Sequence, residues 1–314
     1  NHARYLRKRV DSILNQTYPD VEVILLDDAS TDDSRDILSG YERDPRVRYE
    51  LNRRNTGSPF KQWNKGVRLA RGKYVWIAES DDYAERQFLD SLVPALEQNP
   101  SVSIACCDSE WIDETGQAFT LHSRVLRRVA GNLWDADFVA DGRRMLEQYF
   151  VVGNMIPNAS GVLLRRSSYL GAGGAPEDMR LCGDWMTWSR MLMEGDMAYV
   201  ATVLNHYRSH PDNVRSSVQG RVRYVVEALD VVEAICGQTS VDRRVRAAAG
   251  REMRGRWHEV SRTSRREFTR ETIGRVCRQV QRLFGSVQAA AFWLIALECR
   301  MRTVSVAKPC FTAG

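Results

Sequence analysis

"LLDDASTDDS", residues 25–34, is an apolar run that stops in two aspartates and breaks into small polar residues. A buried strand gains nothing from carboxylates at its tip, because an unpaired charge taken out of water is costly. A ligand site is a reason to put them there. The run begins as "VEVILLD" (21–27), short and apolar with β-branched residues, as expected of a buried parallel strand. Upstream, Leu6, Val10, Ile13 and Leu14 share one helical face, and "TYPD" ends that helix at Pro19. Downstream, Ser30 to Ser34 offer capping residues for a helix reaching Tyr41.

The alternation continues. "VRYEL" (47–51) reads as a strand and "NTGSP" as a loop, and Phe60, Trp63, Val67 and Ala70 mark a helix closed by Gly72. "KYVWIA" (73–78) is a third strand, again ending in carboxylates, "ESDD" (79–82). A helix over 86–98 and the strand "VSIACC" (102–107) follow. Strand–helix alternation predicts a Rossmann-like α/β fold with a mostly parallel sheet flanked by helices, in which ligands bind beyond the carboxyl ends of the strands. Both acidic clusters fall at that edge. From 119 to 214 the pattern is less regular, with a strand at "SGVLLRR" (160–166) and a helix at "DWMTWSRMLM" (184–193); beyond 215 it becomes helical and rich in arginine. The expected division is 1–118, 119–214 and 215–314.

A chain of 314 residues, 43% hydrophobic and 27% charged, has the composition of one large or two modest globular domains. Its net charge of +5 is uneven: from residue 219 onward 18 basic residues face 9 acidic ones. The seven cysteines show no CxxC pair and no His at metal-ligand spacing, and read as reduced thiols of a cytosolic protein. The longest apolar run, "AAAFWLIAL" (289–297), is too short to span a bilayer. Basic residues are not interleaved with aromatics in any nucleic-acid-binding module, so no nucleic acid is expected. "RRVR" (243–246) and "SRRE" (264–267) read equally as a dock for anionic lipid headgroups or as a solvated helix face.

Three carboxylates within "ESDD" repel one another unless a cation or hydrogen-bond donors balance them. Such an oxygen-rich turn suits Mg²⁺ or Mn²⁺; in isolation it reads more simply as a solvated acidic turn. Its place after a buried strand, matching the DDAST tip, favours the site.

Taken in order, "NHARYLRKRVDSILNQTYPDVEVILLDDASTDDS", "NTGSPFKQWNKGVRLARGKYVWIAESDD", "CGDW" and "LNHYRSH" resemble family 2 glycosyltransferases of the GT-A fold over roughly residues 1–214. The resemblance implies an inverting enzyme that uses a nucleotide sugar, a UDP- or dTDP-sugar, with a divalent metal, Mn²⁺ or Mg²⁺. The resemblance implies an acceptor that is a glycan or a lipid-linked hydroxyl of the bacterial cell-surface polysaccharide type. It implies a cytoplasmic protein, peripheral at the inner face of the membrane where anionic lipid is engaged. The family's first strand, ending in Tyr-Asn, is expected immediately before Asn1.

Position by position, the resemblance assigns Asp27 and Asp28 to the base or ribose, and Asn55 and Gly57 to the nucleotide loop. The family's Asp-x-Asp metal motif falls on Glu79 and Asp81. Glu79 departs from the common Asp and is assigned to the nucleotide; Asp81 is the primary metal ligand, with Asp82 in support. Where many members carry Arg-Asn, this chain has Trp63-Asn64, and Lys61 is the substitute cation toward phosphate. Arg208 and His210, in the YRxH segment, approach the diphosphate and the metal. The catalytic base of the family is the Asp of a Glu-Asp pair at a helix start, which matches Asp184 with Gly183 in place of Glu. On residues alone Asp184 reads as readily as a helix cap, and Glu177-Asp178 is a rival pair. Trp185 and Trp188 read as packing residues, with stacking on a sugar as the alternative. A sugar-1-phosphate nucleotidyltransferase and a catalytically degenerate nucleotide-sugar scaffold also fit parts of the pattern.

Overall fold

The computed structural model describes residues 1–210, 218–263 and 268–304. The elements run α1 (Ala3–Leu14), β1 (Val23–Asp27), α2 (Ser34–Ser39), β2 (Val47–Leu51), α3 (Pro59–Leu69), β3 (Tyr74–Trp76), β4 (Tyr83–Ala84) and α4 (Phe88–Gln98). They continue with β5 (Val102–Ile112), β6 (Ala118–Leu121), α5 (His122–Ala130), β7 (Phe138–Ala140), α6 (Gly142–Met145), β8 (Val162–Arg165), α7 (Arg166–Gly171), α8 (Gly183–Leu192) and β9 (Asp196–Arg208). Four helices close the described chain: α9 (Val218–Gln238), α10 (Arg243–Thr263), α11 (Arg270–Phe284) and α12 (Ser286–Val304).

The α/β reading holds, but the sheet is not mostly parallel. β1 and β2 pair in parallel as a two-stranded sheet, and a second sheet has the order β3-β8-β5-β9-β4 with β6 on β5 and β7 on β9. In that second sheet only β5 and β9 run parallel; the other pairs are antiparallel. Connection length does not set these directions, since α5, α6 and α7 with α8 still separate the strands from β6 to β9. The long connections return strands as well as cross them over, while β6 folds back on β5 by a tight turn. That turn, Asp113–Gln117, holds Gly116 at φ 93°, and the Asp113 carbonyl accepts the Gly116 amide at 3.0 Å.

Strand β5 is buried over its first eight residues, which is why it reads as a continuous apolar run rather than an alternating one. Phe88, Leu92 and Leu96 of α4 pack over Val102, Ala105, Leu163 and Leu204. Leu6 and Val10 of α1 pack over Val23 and Leu25. Between the pairs Cys107–Val200 and Ser109–Asn205, β9 carries three residues more than β5, so it bulges before reaching the carboxyl edge.

The chain divides into two compact units, Asn1–Tyr149 with Asn154–His210, and Phe150–Gly153 with Pro211–Gly314. The second contains α9 to α12, and its arginines are partly internal counterions. Arg275 pairs with Asp230 and Arg282 with Glu233, at 2.8 Å each, while Gln279 bridges the two acids. Trp257 is fully buried against Phe268 and Phe292 and donates its indole N–H to the Phe292 carbonyl. Arg243 and Arg244 are exposed; the 264–267 cluster and Cys310 lie outside the described residues. The six described cysteines are free, and among the described residues no helix is long and apolar enough to cross a membrane.

Candidate active site

The tip of β1 turns sharply at Ala29, a non-glycine residue at φ 60°. Asp27 is buried and closes this turn: its carboxylate accepts the Ser30 amide at 3.2 Å and Arg35 Nε at 2.8 Å. Burial pushes the Asp27 pKa up, but the Ser30 and Arg35 hydrogen bonds outweigh it and hold the group below its ordinary value. Asp28 faces the 52–57 loop. It accepts Asn52 Nδ2 at 2.8 Å, the Thr56 amide at 2.9 Å and Thr56 Oγ1 at 2.8 Å, and its carbonyl accepts Asn55 Nδ2 at 2.8 Å. Gly57 sits at φ 71°, with its amide on Asn55 Oδ1 and its carbonyl accepting from Arg180. The Asp28 carboxylate therefore orders the loop that Asn55 and Gly57 occupy, while Asp27 reaches that loop only through its carbonyl, which accepts the Asn52 amide at 2.8 Å.

After β3 the chain enters the turn Glu79–Asp82. Asp82 is buried and directed inward, accepting the Arg208 amide at 2.8 Å and an Asn158 Nδ2 hydrogen bond. Burial, then the Asp81 charge, raises its pKa to about 7. Asp81 instead lies beside His210, whose Nε2 is 3.1 Å from Oδ2. His2 completes the cluster: ligand atoms of His2, Asp81 and His210 all lie within 4.8 Å of one another. The two imidazoles meet edge to face at 5.4 Å, and His2 Nδ1 lies 2.7 Å from Ser80 Oγ. The structure brings Asp81 and His210 together, withdraws Asp82 into the interior, and adds His2 to the cluster. No sequence signal marks His2, which stands just before α1; its reach to residue 81 is a tertiary fact.

Residues 1–3 also join the two acidic tips. The Thr31 amide donates to Asn1 Oδ1 at 2.7 Å and the Ala3 amide to Asp32 Oδ2 at 3.0 Å, while His2 holds Ser80. Arg208 is buried and clamps the acidic turn, with Nε on the Asp81 carbonyl at 2.8 Å and Nη1 on the Asp113 carbonyl at 2.9 Å. A second arginine escaped sequence reading. Arg9 of α1 is buried against the Trp76 ring at 4.8 Å, and its guanidinium nitrogens have no hydrogen-bond partner among the described residues. Burial lowers its pKa to about 10, against the pull of Asp82, Glu79 and Asp81, so it stays charged and offsets part of the acidic turn.

Helix α8 begins at Gly183. Asp184 is buried in its first turn, with Oδ2 accepting Asn154 Nδ2 at 3.0 Å and Oδ1 accepting the Trp185 amide at 2.7 Å. Gly183 has a steric cause: a Cβ there would lie 2.4 Å from the Phe60 ring, so no larger residue fits before Asp184. Trp185 and Trp188 are 1% and 0% exposed, which rules out stacking on a sugar. Trp63 stacks on Trp188 at 6.0 Å and is core, while Asn64 accepts the Tyr169 hydroxyl and the Ala175 amide and donates to Glu177. Lys61 is exposed on α3. Asp178 lines a cleft of about 450 Å³ with Arg68, Glu177 and Arg190, and the Asn64 network forms part of the same wall. His206, unassigned from sequence, lies between Glu85 at 2.8 Å and Glu110 at 3.1 Å.

A sequence model of glycosyl transferase family 2 matches residues 1–161 of the 314. Glycosyltransferase GlyG of Streptococcus pneumoniae serotype 4 is 36% identical over 99 residues, covering 31% of this chain and 33% of that protein. Chondroitin synthase of Escherichia coli is 35% identical over 117 residues, covering 37% and 17%. The putative teichuronic acid biosynthesis glycosyltransferase TuaG of Bacillus subtilis is 37% identical over 91 residues, covering 29% and 36%. The chain thus spans little more than a third of the length of these relatives at most. Among solved structures, S. aureus TarS 1-349 in complex with UDP-GlcNAc superposes with a TM-score of 0.69 at 13% identity, over 95% of this chain and 88% of that one. Mannosyltransferase PcManGT from Pyrobaculum calidifontis, in complex with GDP-Man and Mn²⁺, gives 0.56 at 14% identity, over 98% and 85%. At such identity the likeness concerns the fold, which is GT-A.

Proposed function

The chain belongs to glycosyl transferase family 2, and from that premise we propose that it is an inverting glycosyltransferase. It moves a sugar from a nucleoside-diphosphate sugar to a hydroxyl of a glycan or lipid-linked acceptor in cell-surface polysaccharide synthesis. The observation that supports this reading is the joining of the DDAST tip and the ESDD turn by residues 1–3, beside the His2–Asp81–His210 cluster. The UDP-GlcNAc held by TarS supports a UDP-sugar donor, with a dTDP-sugar as the alternative.

In this reading the loop ordered by Asp28, with Asn55 and Gly57, receives the nucleoside, and Glu79 and Lys61 flank the ribose and phosphates. Asp81 and His210, two imidazoles and a carboxylate with His2, fit a divalent cation in donor chemistry and would hold it. When bound, the cation neutralises charge growing on the departing diphosphate. Arg208 fixes the turn through the Asp81 carbonyl and adds positive charge from the same side. Asp184 accepts the proton of the acceptor hydroxyl as that oxygen bonds to the anomeric carbon. The bond from that carbon to the diphosphate oxygen breaks on the opposite face, and one displacement inverts the centre.

Nucleotide sugars are made in the cytosol, so the reaction belongs on the cytoplasmic side; exposed Arg243 and Arg244 supply charge for peripheral contact with anionic lipid. The test is hydrolysis and transfer of a panel of UDP- and dTDP-sugars by the protein with Mn²⁺, with EDTA, and with Asp81→Ala. Donor turnover that needs the cation and Asp81 is the expected result. A protein that turns over no donor, or equally well as Asp81→Ala, removes the reading.

A further inference from the structure

The donor set around Asp81 indicates which cation the site takes, a step that rests on the cation reading of the proposed function. In the sequence the acidic turn itself offers only oxygen ligands, Glu79, Asp81 and Asp82 in four positions, and the family resemblance adds one imidazole, His210. The fold alters that donor set at two points. It spends Asp82 internally, on the Arg208 amide and Asn158. It also brings two imidazoles from opposite ends of the first compact unit, His2 before α1 and His210 after β9, to the one carboxylate that remains.

We infer that His2 is a ligand in a site of two imidazoles and one carboxylate, and that this site selects Mn²⁺ or a later first-row ion such as Co²⁺ over Mg²⁺. Ligand hardness decides the preference. Mg²⁺ takes oxygen ligands in a rigid octahedron and gives up water reluctantly, whereas imidazole nitrogen binds first-row transition ions. Ser80 Oγ, 2.7 Å from His2 Nδ1, is the partner that would fix the ring and leave Nε2 as the nitrogen with its lone pair available. His210 is buried and Asp81 half-buried, so the set is held by packing as well as by charge. A solvated histidine at the start of a helix would have none of these constraints.

The experiment uses the EDTA-dialysed protein, titrated with Mn²⁺ alone and with Mn²⁺ plus UDP. Free Mn²⁺ is read by electron paramagnetic resonance, bound Mn²⁺ by the pulsed ¹⁴N signature of coordinated imidazole, and Mg²⁺ enters as a competitor. The wild-type protein should show ¹⁴N coupling and retain Mn²⁺ against Mg²⁺. His2→Ala should weaken Mn²⁺ binding by about 10–100-fold and reduce the ¹⁴N signal. His2→Asp, which restores an oxygen ligand, should lower the Mn²⁺-to-Mg²⁺ affinity ratio by about tenfold or more, a shift that loss of structure does not produce.

Failure has two distinguishable forms. If both His2 variants leave the ratio and the ¹⁴N signal unmoved while Asp81→Asn abolishes Mn²⁺ binding, His2 is not a ligand and the inference is wrong, though a cation site stands. If the wild-type protein binds no Mn²⁺ even with UDP, the cation reading itself falls and the selectivity falls with it.

Discussion

Replacing Gly183 by alanine tests how Asp184 is held. The added Cβ would lie 2.4, 2.5 and 2.7 Å from three ring atoms of Phe60, well inside any van der Waals contact. The ring has little room to retreat: Phe60 is 4% exposed and packs edge to face on Trp63 at 5.1 Å. Trp63 in turn stacks on Trp188 of the same helix that carries residue 183. Pushing the ring away therefore pushes back on α8. Overpacking of this kind costs about 1–3 kcal/mol, and the better helix propensity of alanine returns at most about 1 kcal/mol. Gly183→Ala should thus destabilise by about 1–2 kcal/mol in urea denaturation. In a Phe60→Leu background, which removes ring atoms, the same change should be close to neutral, giving a coupling energy of about 1–2 kcal/mol. Because Asp184 follows directly, turnover should fall more than stability, and a displacement near 1 Å costs about 10²-fold in rate. Equal effects of Gly183→Ala in both backgrounds would refute the steric account of this position.

Asp184→Asn should lower kcat by about 10²–10⁴-fold with the donor KM little changed, while Asp178→Asn should not; the opposite pattern in steady-state kinetics transfers the base to Asp178. Ala29 sits in left-handed backbone at φ 60°. Relief of about 1–2 kcal/mol of strain, less about 0.5–1 kcal/mol for the entropy of glycine, predicts that Ala29→Gly raises unfolding free energy by about 0.5–1 kcal/mol. An unchanged or lower urea midpoint contradicts this. Asp27 has a depressed pKa in the folded chain, so its stabilising contribution is present above the unfolded value, about 3.9, and is lost as pH falls through the folded value. Arg35→Ala should destabilise at pH 7 by about 1 kcal/mol or less, since the arginine is 42% exposed, and the difference should shrink below pH 4. A difference that grows on acidification would reverse the sign of the linkage.

Local signals were enough for the first hundred residues because the apolar periods there belong to single elements: Val23–Asp27 and Val47–Leu51 fall within the runs that announced them. The acidic tips were legible as well, since carboxylates at strand ends conflict with burial. The direction of each carboxylate was not. Asp27, Asp28 and Asp82 look alike in sequence, yet Asp27 and Asp82 point inward because Arg35, Asn158 and the Arg208 amide, all outside the acidic tips themselves, supply donors there. His2, Arg9 and Asn154 were invisible because each acts through a partner at least 30 positions away. The antiparallel sheet pairs were missed because a strand's own residues do not carry its direction: the strand at 160–166 was legible, but its pairing with β5 is set by tertiary contacts.

The bulged strand β9 has a consequence for how this region tolerates change. Three surplus residues between its pairings at Val200 and Asn205 are an odd number, so inward and outward positions exchange across the bulge. Arg208, at the end of the strand, reaches the Asp81 carbonyl in that inverted parity. Losing or gaining one residue here, harmless in a surface loop, would aim its side chain out the far side of the sheet, whereas a change of two would keep it. The spacing of this strand, as much as its chemistry, is under constraint.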